Sequence, residues 1–474
     1  MKICVLQPDY TSSTVDYRHY DPRRDLSAIL PDHVVDHLFL DKRTTYRQLA
    51  QCVGQGYDIF INLCEGYLDW DIPSIDVIHA LDRLGLPYTG PTAELYDPSK
   101  PLMKYVAHTA GVRTPVHGLV QQVADVARVV RAVRGPWFVK PAHAGDSLGI
   151  DARALAEDEA ALEAQVAQLL PEYPELLVEE FVDGREFTVL VVASPEGHGQ
   201  CRAFAPVEYR FPEGMRFKTY ALKTSELHPQ ANVPVHDAAL AARLTDAARR
   251  VFVAFGGVGY ARMDFRLDAG GELFFLEVNF TCSVFYAHGF EGSADYILQH
   301  DGIGQRGFAE CIIAEGVARF QRTRERYLMQ GSAVAGFGIF ARIPLAAGAI
   351  VFSGEERAHR IVTRRHVEQR WSAEARDLFR HYAYPLSDEV YALWDTDPTA
   401  WAPQNHSCDP NTAFDGLNVI ARREIRVGDE LTIDYAVSMN EQSASFTCRC
   451  GSPQCRGQIA GTRGNSVSAR ERAM

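Results

Sequence analysis

The sequence is poor in lysine and has no long apolar run. Only seven of its 474 residues are lysine, and residues 331–474 contain none. The net charge is -13, so the chain lacks the basic surface that nonspecific nucleic-acid binding requires. No apolar stretch approaches the ~20 residues that cross a bilayer, and the run Ile3–Leu6 is too short for a signal peptide. We predict a cytoplasmic protein with neither nucleic acid nor membrane as a partner.

A chain of this length is too long for one hydrophobic core, so two or more domains are expected. Residues 331–474 hold 16 arginines against 17 acidic residues, which leaves nearly all the net negative charge in the first 330 residues. In a reducing cytoplasm the ten cysteines should not form disulfides. Clustered cysteines are then expected to bind a metal, and the scattered ones to fill the core.

Four cysteines near the C-terminus have the spacing of a metal site. Cys408 lies in the segment Asn405–Asn411, and Cys448, Cys450 and Cys455 follow with the spacing C-x-C-x4-C. Three close thiols and one from far upstream are typical of a closed tetrahedral Zn2+ site. A zinc clip that only stabilises a small β domain is the simpler alternative.

Two further segments surround the cysteines: Gly336–Phe340, which reads Gly-Phe-Gly-Ile-Phe, and Gly428–Tyr435, which reads Gly-Asp-Glu-Leu-Thr-Ile-Asp-Tyr. With Asn405–Asn411 and the cysteines, they resemble a SET-domain methyltransferase with its post-SET zinc segment. The resemblance implies S-adenosylmethionine as cofactor and Tyr435 as the catalytic tyrosine. It places the cofactor at Gly336, Phe337, Gly338, Asn405 and His406, and an amine-admitting channel at Tyr382 or Tyr384. The Arg-Phe-Ile usual before Asn-His-Ser-Cys is replaced here by Ala-Pro-Gln.

The N-terminal region alternates short apolar runs with amphipathic stretches. Ile3–Leu6, Val34–Leu40 and Tyr57–Leu63 are the apolar runs, and helical patterns cover Thr45–Val53 and Ile72–Leu84. This alternation predicts an α/β layer with a mainly parallel sheet.

Lysines followed by glycine-containing segments come next. Lys104 is followed by Phe138–Pro141, which contains Lys140, and by the loop Ala144–Gly149, which contains Gly145 and Ser147. A lysine at the end of a strand and a glycine loop offer a cation and open backbone N–H groups, as polyphosphate binding requires. Ordinary turn glycines remain an alternative explanation.

A β-hairpin is predicted over Tyr260–Asn279, with its turn at Asp268–Gly271. A turn centred on the two glycines places Asp264 opposite Glu277, and Arg262 opposite Asn279. All four side chains then project from one face. Two carboxylates and an amide oxygen suit a hard divalent cation, with the arginine beside it for developing negative charge.

The order of these elements resembles the ATP-grasp fold, and most closely the D-alanine:D-alanine ligases, over residues 1 to 320. The likeness includes Gly85–Gly90 ahead of Lys104. It implies that ATP is held by Lys104, Lys140, Gly145, Ser147, Glu179, Glu180, Phe181, Val182, Glu186 and Lys223. It also implies two Mg2+ ions on Asp264, Glu277 and Asn279, and Arg262 stabilising a tetrahedral intermediate.

Departures from the ligase pattern concentrate where amino-acid substrates should bind. The glutamate of the first glycine-rich turn is absent from Pro8–Ser13, Thr224 replaces a tyrosine, and Phe280–Ser283 replaces the usual Pro-Gly. We therefore expect a carboxylate:amine ligase with a substrate other than D-alanine.

The sequence thus predicts an α/β ATP-grasp fold followed by a small β-rich SET domain. The expected boundaries are 1–98 for the N-terminal lobe, 99–320 for the ATP-grasp domain, 321–331 for a linker, 332–440 for the SET domain, 441–460 for the post-SET segment and 461–474 for a disordered tail. The predicted protein is a bifunctional enzyme, an ATP-dependent amide-forming ligase and an N-methyltransferase acting on small amino acids, peptides or a protein lysine. A methyltransferase with a ligase-like docking or sensing domain, and a ligase with a non-catalytic SET module, are the alternatives.

Overall fold

The computed structural model describes residues 1–13, 21–67, 70–143, 149–197, 199–219, 231–323, 327–352, 359–394, 404–416, 418–437, 439 and 445–460. The chain divides into two compact units, Met1–Thr323 and Arg324–Met474. The predicted linker at 321–331 overlaps the end of the helix Gly304–Thr323 and the strand Tyr327–Gly331. The predicted disordered tail at 461–474 lies outside the described residues.

The first layer of unit 1 is a parallel three-stranded sheet in the order β2-β1-β3. Its strands are β1 (Lys2–Pro8), β2 (Val34–Leu40) and β3 (Ile59–Asn62), and its helices are Thr45–Ala50 and Ile75–Leu84. Strand β1 is buried along most of its length, because side chains on both of its faces contribute to hydrophobic clusters. The predicted parallel α/β layer is confirmed.

The second layer is an antiparallel four-stranded sheet in the order β4-β7-β5-β6. Its strands are β4 (His117–Val120), β5 (Trp137–Pro141), β6 (Leu155–Ala156) and β7 (Leu176–Glu180). The helices Val126–Ala132 and Glu159–Leu169 bury Val129, Leu162 and Val166 against its apolar face. The side chain of Asp158 caps the second helix by accepting from the backbone of Ala161 at 2.8 Å. Lys140 and Glu179 therefore lie on neighbouring strands near the sheet's end.

The third layer is a six-stranded sheet in the order β11-β10-β8-β12-β13, with β9 paired to β8. Its members are β8 (Gly184–Ala193), β9 (Cys201–Ala203), β10 (Val207–Tyr209), β11 (Asn232–Pro234), β12 (Tyr260–Asp268) and β13 (Leu273–Asn279). Strand β8 is central, and alternate residues enter two different cores: Leu190 packs on one face, and Phe187 and Val189 on the other. Packing on both faces explains its continuous apolar run.

Four helices flank this sheet in unit 1: Lys100–Thr109, Ala238–Ala254, Ser293–Asp301 and Gly304–Thr323. Ser99 caps the first of them through a hydrogen bond of 3.4 Å to the Leu102 amide. The last two helices are separate because Gly302 adopts a left-handed φ of 84°, which ends the earlier helix.

The predicted hairpin has the expected pairing at its functional end and a different pairing near its turn. Arg262 is opposite Asn279 and Asp264 is opposite Glu277, as the alternating pattern predicts. Beyond Asp264 the register shifts by one residue, so that Phe265 is opposite Phe275. This β-bulge compensates for a turn that is one residue longer than the two-glycine turn we predicted.

In its described residues, unit 2 has short strands and two helices, as expected for a small β-rich domain. The pairings are β14-β15, β16-β22-β21, β17-β19-β18, β20-β23 and β24-β25. The strands are β14 (Tyr327–Gly331), β15 (Phe337–Ala341), β16 (Ile350–Phe352), β17 (His359–Thr363), β18 (Tyr384–Pro385), β19 (Val390–Trp394), β20 (Asn405–His406), β21 (Thr412–Asp415), β22 (Asn418–Ala421), β23 (Thr432–Ile433), β24 (Phe446–Thr447) and β25 (Gln458–Ile459). The helices are Arg364–Arg370 and Ala373–Tyr382.

A compact core of unit 2 is built from Ile339, Leu345, Val351, Val419 and Leu431, among others. Parallel pairing of β20 with β23 brings Asn405 beside Thr432, and His406 beside Ile433. Two segments that the sequence separates by about 30 residues therefore meet in space. Among the described residues, no helix is both long and apolar enough to cross a membrane.

Candidate active sites

Two buried lysines of unit 1 share one buried carboxylate. The ammonium groups of Lys104 and Lys140 each lie 2.6 Å from a different oxygen of Glu179. All three residues are at most 4% exposed. Burial alone would raise the pKa of the Glu179 carboxyl, but the two cations outweigh it and lower that pKa to about 2. The carboxylate thus holds two cations in place at the end of the β4-β7-β5-β6 sheet.

The two lysines differ in their protonation. Burial lowers the pKa of Lys104 to about 8, although Glu179 favours its charged form. Burial also acts against the charge of Lys140, but Glu179 and then Glu277 outweigh it and raise its pKa. Lys140 is therefore firmly cationic, whereas Lys104 is close to releasing a proton. An arriving polyanion would stabilise the charge on both.

A second carboxylate, Glu186, is held by two cations of its own. Lys218 Nζ lies 2.9 Å from Oε1, and Arg266 Nη2 lies 3.0 Å from Oε2. Despite burial, which acts to raise it, the pKa of the Glu186 carboxyl is lowered to about 2 by Lys218 and then Arg266. Arg266 also donates to the carbonyls of Val182 and Arg216 at 2.8 and 2.6 Å.

One open cleft of about 630 Å3 connects these groups with the hairpin. Its apolar wall includes Phe138, Phe181 and Phe217, whose ring centroids lie 5.0 to 6.2 Å apart. The polar lining consists of Lys140, Glu179, Glu180, Glu186, Lys218, Asp264, Arg266 and Glu277. An apolar slot with charged groups at one end suits a flat heterocycle that carries phosphates.

The hairpin presents two carboxylates, those of Asp264 and Glu277, to the cleft. Arg262 Nε lies 3.6 Å from Asp264 Oδ1, and Lys100 Nζ lies 3.9 Å from Glu277 Oε2. The amide oxygen of Asn279 accepts from the Thr281 amide at 2.9 Å, which fixes its orientation. Two carboxylates and an oriented amide oxygen on one face have the donor chemistry of a Mg2+ site.

The other predicted nucleotide contacts have mixed outcomes. Gly145, Ser147 and Lys223 lie outside the described residues. The amides of Glu180 and Phe181 donate to the carbonyls of Val116 and Pro136, both at 2.9 Å. Those two N–H groups are therefore used in backbone hydrogen bonds within the protein. Phe181 lines the cleft with its aromatic ring.

Sequence reasoning missed three cations that line or border this cleft: Lys100, Lys218 and Arg266. Arg266 shares the face of Asp264 by simple alternation along β12, so its position was readable from the pattern. Lys218 was marked only by the rarity of lysine in this chain. Lys100 has no local signal, because the packing of its helix on β13 decides its position.

In unit 2, the predicted cofactor segments lie against one another. Asn405 Nδ2 donates to the Phe337 carbonyl at 3.1 Å and to Glu430 Oε1 at 2.7 Å. A Cβ on Gly338 would lie 2.1 Å from that Glu430 oxygen and 2.9 Å from Asn405 Nδ2. Gly336 has a left-handed φ of 50°, and Phe337 is 69% exposed. Glycine is thus needed at position 338 for contact with Asn405.

His406 joins the predicted catalytic tyrosine to the cysteines. Its Nδ1 accepts from the Tyr435 amide at 3.1 Å, so in the neutral ring Nε2 carries the proton, and it lies 3.4 Å from Cys408 Sγ. Burial lowers the pKa of His406, which favours this neutral form. The Tyr435 hydroxyl donates to the Gln404 carbonyl at 2.5 Å. Tyr382 and Tyr384, the predicted channel residues, have side chains outside the described part of the structure.

The four cysteines converge as a group. The sulfur atoms of Cys408, Cys448, Cys450 and Cys455 all lie within 4.8 Å of one another, and Cys408 and Cys448 are 3.8 Å apart. Zn–S bonds of about 2.3 Å in a tetrahedron place sulfurs roughly 3.8 Å apart, so this set fits zinc. The ten cysteines of the chain form no disulfide among the described residues, which include all of them.

The post-SET segment also contacts the tyrosine region directly. Arg456 Nη2 lies 2.5 Å from Asp434 Oδ1, and the rings of Phe446 and Tyr435 are 5.8 Å apart. The residue after the last cysteine ligand is therefore tied to the residue before Tyr435. Through these contacts, fixing the positions of the cysteines would also fix the position of Tyr435.

Comparison with known proteins divides the chain in the same way. A family model described as the D-ala D-ala ligase C-terminus matches residues 113–286, and a SET domain model matches residues 336–436. The D-alanine--D-alanine ligase of Bordetella petrii is 33% identical over 258 residues, which are 53% of this chain and 74% of the relative. That of a Janthinobacterium species is 34% identical over 266 residues, which are 54% of this chain and 78% of the relative.

Two solved structures show the same fold for unit 1. The D-alanine-D-alanine ligase of Coxiella burnetii has a TM-score of 0.50 at 16% identity, and covers 68% of this chain and 97% of its own. VanG D-Ala:D-Ser ligase of Enterococcus faecalis has a TM-score of 0.50 at 17% identity, and covers 66% and 99%. The predicted ATP-grasp fold is confirmed.

One relative that carries a methyltransferase name is histone-lysine N-methyltransferase ash1 of Drosophila melanogaster. It is 31% identical over 157 residues, which are 31% of this chain and 6% of that protein. The predicted SET domain is confirmed, and both halves of the predicted fusion are present.

Proposed function

Because the chain belongs to the D-alanine–D-alanine ligase family and carries a SET domain behind its ligase unit, we propose that it makes an amide bond with one site and methylates an amine with the other. The observation that supports the proposed ligase activity is the lining of the cleft in unit 1. Lys140 and Glu179 line it together with Asp264 and Glu277, so cation, polyphosphate and heterocycle have neighbouring places in one cavity.

In the proposed ligation, a substrate carboxylate attacks the γ-phosphorus of ATP, the bond from that phosphorus to the bridging oxygen breaks, and ADP leaves. An amine then attacks the acyl carbon of the acyl phosphate, loses a proton, and displaces inorganic phosphate. Lys104 and Lys140 would hold the phosphates, and Asp264, Glu277 and Asn279 would hold Mg2+, which would supply positive charge beside the transferring phosphoryl group. Arg262 stabilises the oxyanion of the tetrahedral intermediate.

We further propose that the ligase joins substrates other than two D-alanines. One segment that departs from the ligase pattern, Phe280–Ser283, contacts the N-terminal lobe: Ser283 Oγ donates to Glu65 Oε2 at 2.5 Å, and Arg24 Nη1 lies 3.3 Å from the other oxygen of Glu65. Glu65 follows β3, and Ser283 follows β13. Where the ligase pattern has Pro-Gly, this chain therefore has a serine that hydrogen-bonds to an acidic side chain of the N-terminal lobe.

For the SET unit, the proposed reaction breaks the bond between sulfur and methyl in S-adenosylmethionine and forms a carbon–nitrogen bond to a neutral amine. The amine then releases a proton to solvent. Asn405, His406 and the Gly336–Gly338 segment would bind the cofactor, and the Tyr435 hydroxyl would orient the reacting groups. The four cysteines would hold Zn2+, which fixes the post-SET segment beside Tyr435.

The methyl acceptor is proposed to be a separate molecule. Residues 331–474 contain no lysine, and Lys100, Lys104 and Lys140 are buried in unit 1. Small amino acids, peptides and a protein lysine remain the acceptor classes. The ligation product is the simplest candidate, since one chain would then build and methylate the same compound.

The ligase half is tested by ADP and phosphate release from the purified full chain with ATP, Mg2+ and a panel of L- and D-amino acids and ω-amino acids. We expect release that depends on the amino acid and is lost in Lys140→Met. Arg113→Met is the matched control, because Arg113 pairs with Glu272 at the surface and is 67% exposed. No release across the panel would contradict the ligase.

The methyltransferase half is tested by untargeted mass spectrometry of a host that expresses the chain, with a labelled methyl donor. We expect a labelled amine that Tyr435→Phe abolishes. Tyr391→Phe is the control, since its hydroxyl also meets a backbone carbonyl, that of Asp388 at 3.5 Å, but on β19. Labelling that persists in Tyr435→Phe would contradict the assigned role.

A further inference from the structure

The buried triad of Lys218, Glu186 and Arg266 repeats the arrangement of two cations on one carboxylate that is seen at Glu179. One carboxylate faces two cations, at 2.9 and 3.0 Å, so the triad carries a net positive charge inside the cleft. The side chains are at most 12% exposed. A buried positive charge of this kind is costly unless a further anion reaches it.

The two cations of the triad are engaged differently. Arg266 donates to two backbone carbonyls, those of Val182 and Arg216, as well as to Glu186. Four of the five N–H donors of Arg266 are therefore used by the protein itself. Lys218 meets Glu186 with one of its N–H groups, and its ammonium lies 4.3 Å from the centroid of the Tyr209 ring. Lysine has three N–H donors, so Lys218 retains capacity for a ligand.

Lys218 also lines the cleft itself. It lines the cavity beside Glu186 and Phe217, and it lines the same cavity as Asp264. The charges of Glu186 and then Asp264 act on its ammonium, although burial opposes them, and the pKa of Lys218 is raised. A structural ion pair would not need to open into the cleft at this point.

We infer that Lys218 is a nucleotide-positioning residue that holds Glu186 in place and donates to the phosphate chain. This inference rests on the proposed nucleotide site. Glu186 alone would be a carboxylate in the path of a polyanion, so its repulsion must be offset. Lys218 offsets it, and the net positive triad supplies the remaining attraction.

The test is isothermal titration of the full chain with Mg2+ and ADP, and separately with adenosine. Lys218→Met removes the ammonium and leaves Arg266 paired with Glu186, so the carboxylate stays partnered and the fold should hold. We expect ADP affinity to fall by about 10- to 100-fold, the range for a lost hydrogen bond to a charged group. The fold-loss of adenosine affinity should be roughly five times smaller than the fold-loss of ADP affinity, because adenosine lacks phosphates.

Arg185→Met is the matched control. Arg185 is the neighbour of Glu186 on β8, but it is 51% exposed and pairs with Glu208 at 2.7 Å. It removes one cation from the same strand without opening the cleft, so ADP affinity should stay within about twofold of wild type. Lys218→Arg keeps the charge and should recover much of the lost ADP affinity. Thermal unfolding of each variant checks that the fold is intact.

Equal ADP affinity in Lys218→Met and wild type would overturn the inference, as would equal losses in Lys218→Met and Arg185→Met. Equal losses for ADP and adenosine would also overturn it, because the phosphate contact would then be absent. Failure of the wild-type chain to bind ADP would instead refute the proposed nucleotide site. If Lys218→Met does not fold, the ADP affinity of Lys218→Arg becomes the test. A contact from the positive charge to phosphate predicts that Lys218→Arg recovers much of the wild-type ADP affinity, and a complete loss of ADP binding in that folded variant would overturn the inference.

Discussion

Replacing Glu179 by glutamine is expected to destabilise unit 1 far more than a single hydrogen bond would. Glutamine has the size of glutamate, so the packing changes little. The change removes the only carboxylate within 2.6 Å of either Lys104 or Lys140 among the described ion pairs. Two buried ammonium groups would then face each other without their common counter-ion.

The magnitude follows from the burial of all three groups. Removing one partner of a buried ion pair costs about 3–5 kcal/mol, because an uncompensated charge stays behind. The pKa of the Glu179 carboxyl gives a similar figure, since a fall from 4.5 to about 2 corresponds to about 3 kcal/mol. With two lysines left behind, the upper part of the range is expected.

The assay is urea unfolding of the full chain, followed through the transition of the ligase unit. Glu180→Gln is the control, because its carboxylate is half-buried and accepts from the Val116 amide at 2.9 Å. We expect it to cost about 1 kcal/mol. The difference between adjacent positions isolates the buried charge from general effects of the strand.

The pH dependence of the free energy of unfolding gives a second test of the same prediction. The folded pKa of Lys104 is about 8, below its ordinary 10.5, so the unfolded chain binds more protons between these values and stability rises with pH there. Without Glu179 the pKa of Lys104 should fall further, so the deficit of the variant should shrink as pH rises from that lower pKa to about 8, where the wild-type Lys104 begins to release its own proton. A loss below about 1 kcal/mol at pH 7, or a deficit that grows with pH, would refute the reasoning.

Three further outcomes are expected. The folded pKa values of Glu179 and Glu186 are about 2 against 4.5 unfolded, so stability present above pH 4.5 should be lost as pH falls towards 2, by about 3 kcal/mol for each group; urea midpoints that do not change between pH 5 and 3 would contradict this. Cys448→Ser should reduce bound zinc, measured by elemental mass spectrometry, from about one ion per chain to near zero, and it should weaken binding of S-adenosylmethionine; retained zinc would rule out the four-cysteine site. Gly338→Ala should weaken binding of the same cofactor at least about tenfold in calorimetry, because the new methyl group displaces Glu430; unchanged affinity would remove the segment from the cofactor site.

The sequence was sufficient wherever function depends on local spacing. The position of the glycine turn predicted that Asp264 would be opposite Glu277, and the structure has that pairing because a β-bulge offsets the longer turn. The C-x-C-x4-C spacing predicted that three thiols would be close, and Cys408 was matched to them by its motif. These features depend on periods of a few residues, which the chain fixes by itself.

Tertiary structure decided what depends on pairing between distant segments. The register shift beyond Asp264 depends on a turn one residue longer than the glycines suggested. The two-lysine clamp on Glu179 requires β5 and β7 to be neighbours and the helix Lys100–Thr109 to reach them.

The sequence by itself therefore determined the two folds and most residues that carry the proposed chemistry, because short motifs and alternating patterns encode them. Only the tertiary structure revealed that Lys218 and Arg266 share Glu186, and that His406 links Tyr435 to Cys408. The physical reason is that a buried charge acquires its partner from whatever element packs against it. That choice is made by the whole core and leaves no local pattern in the chain.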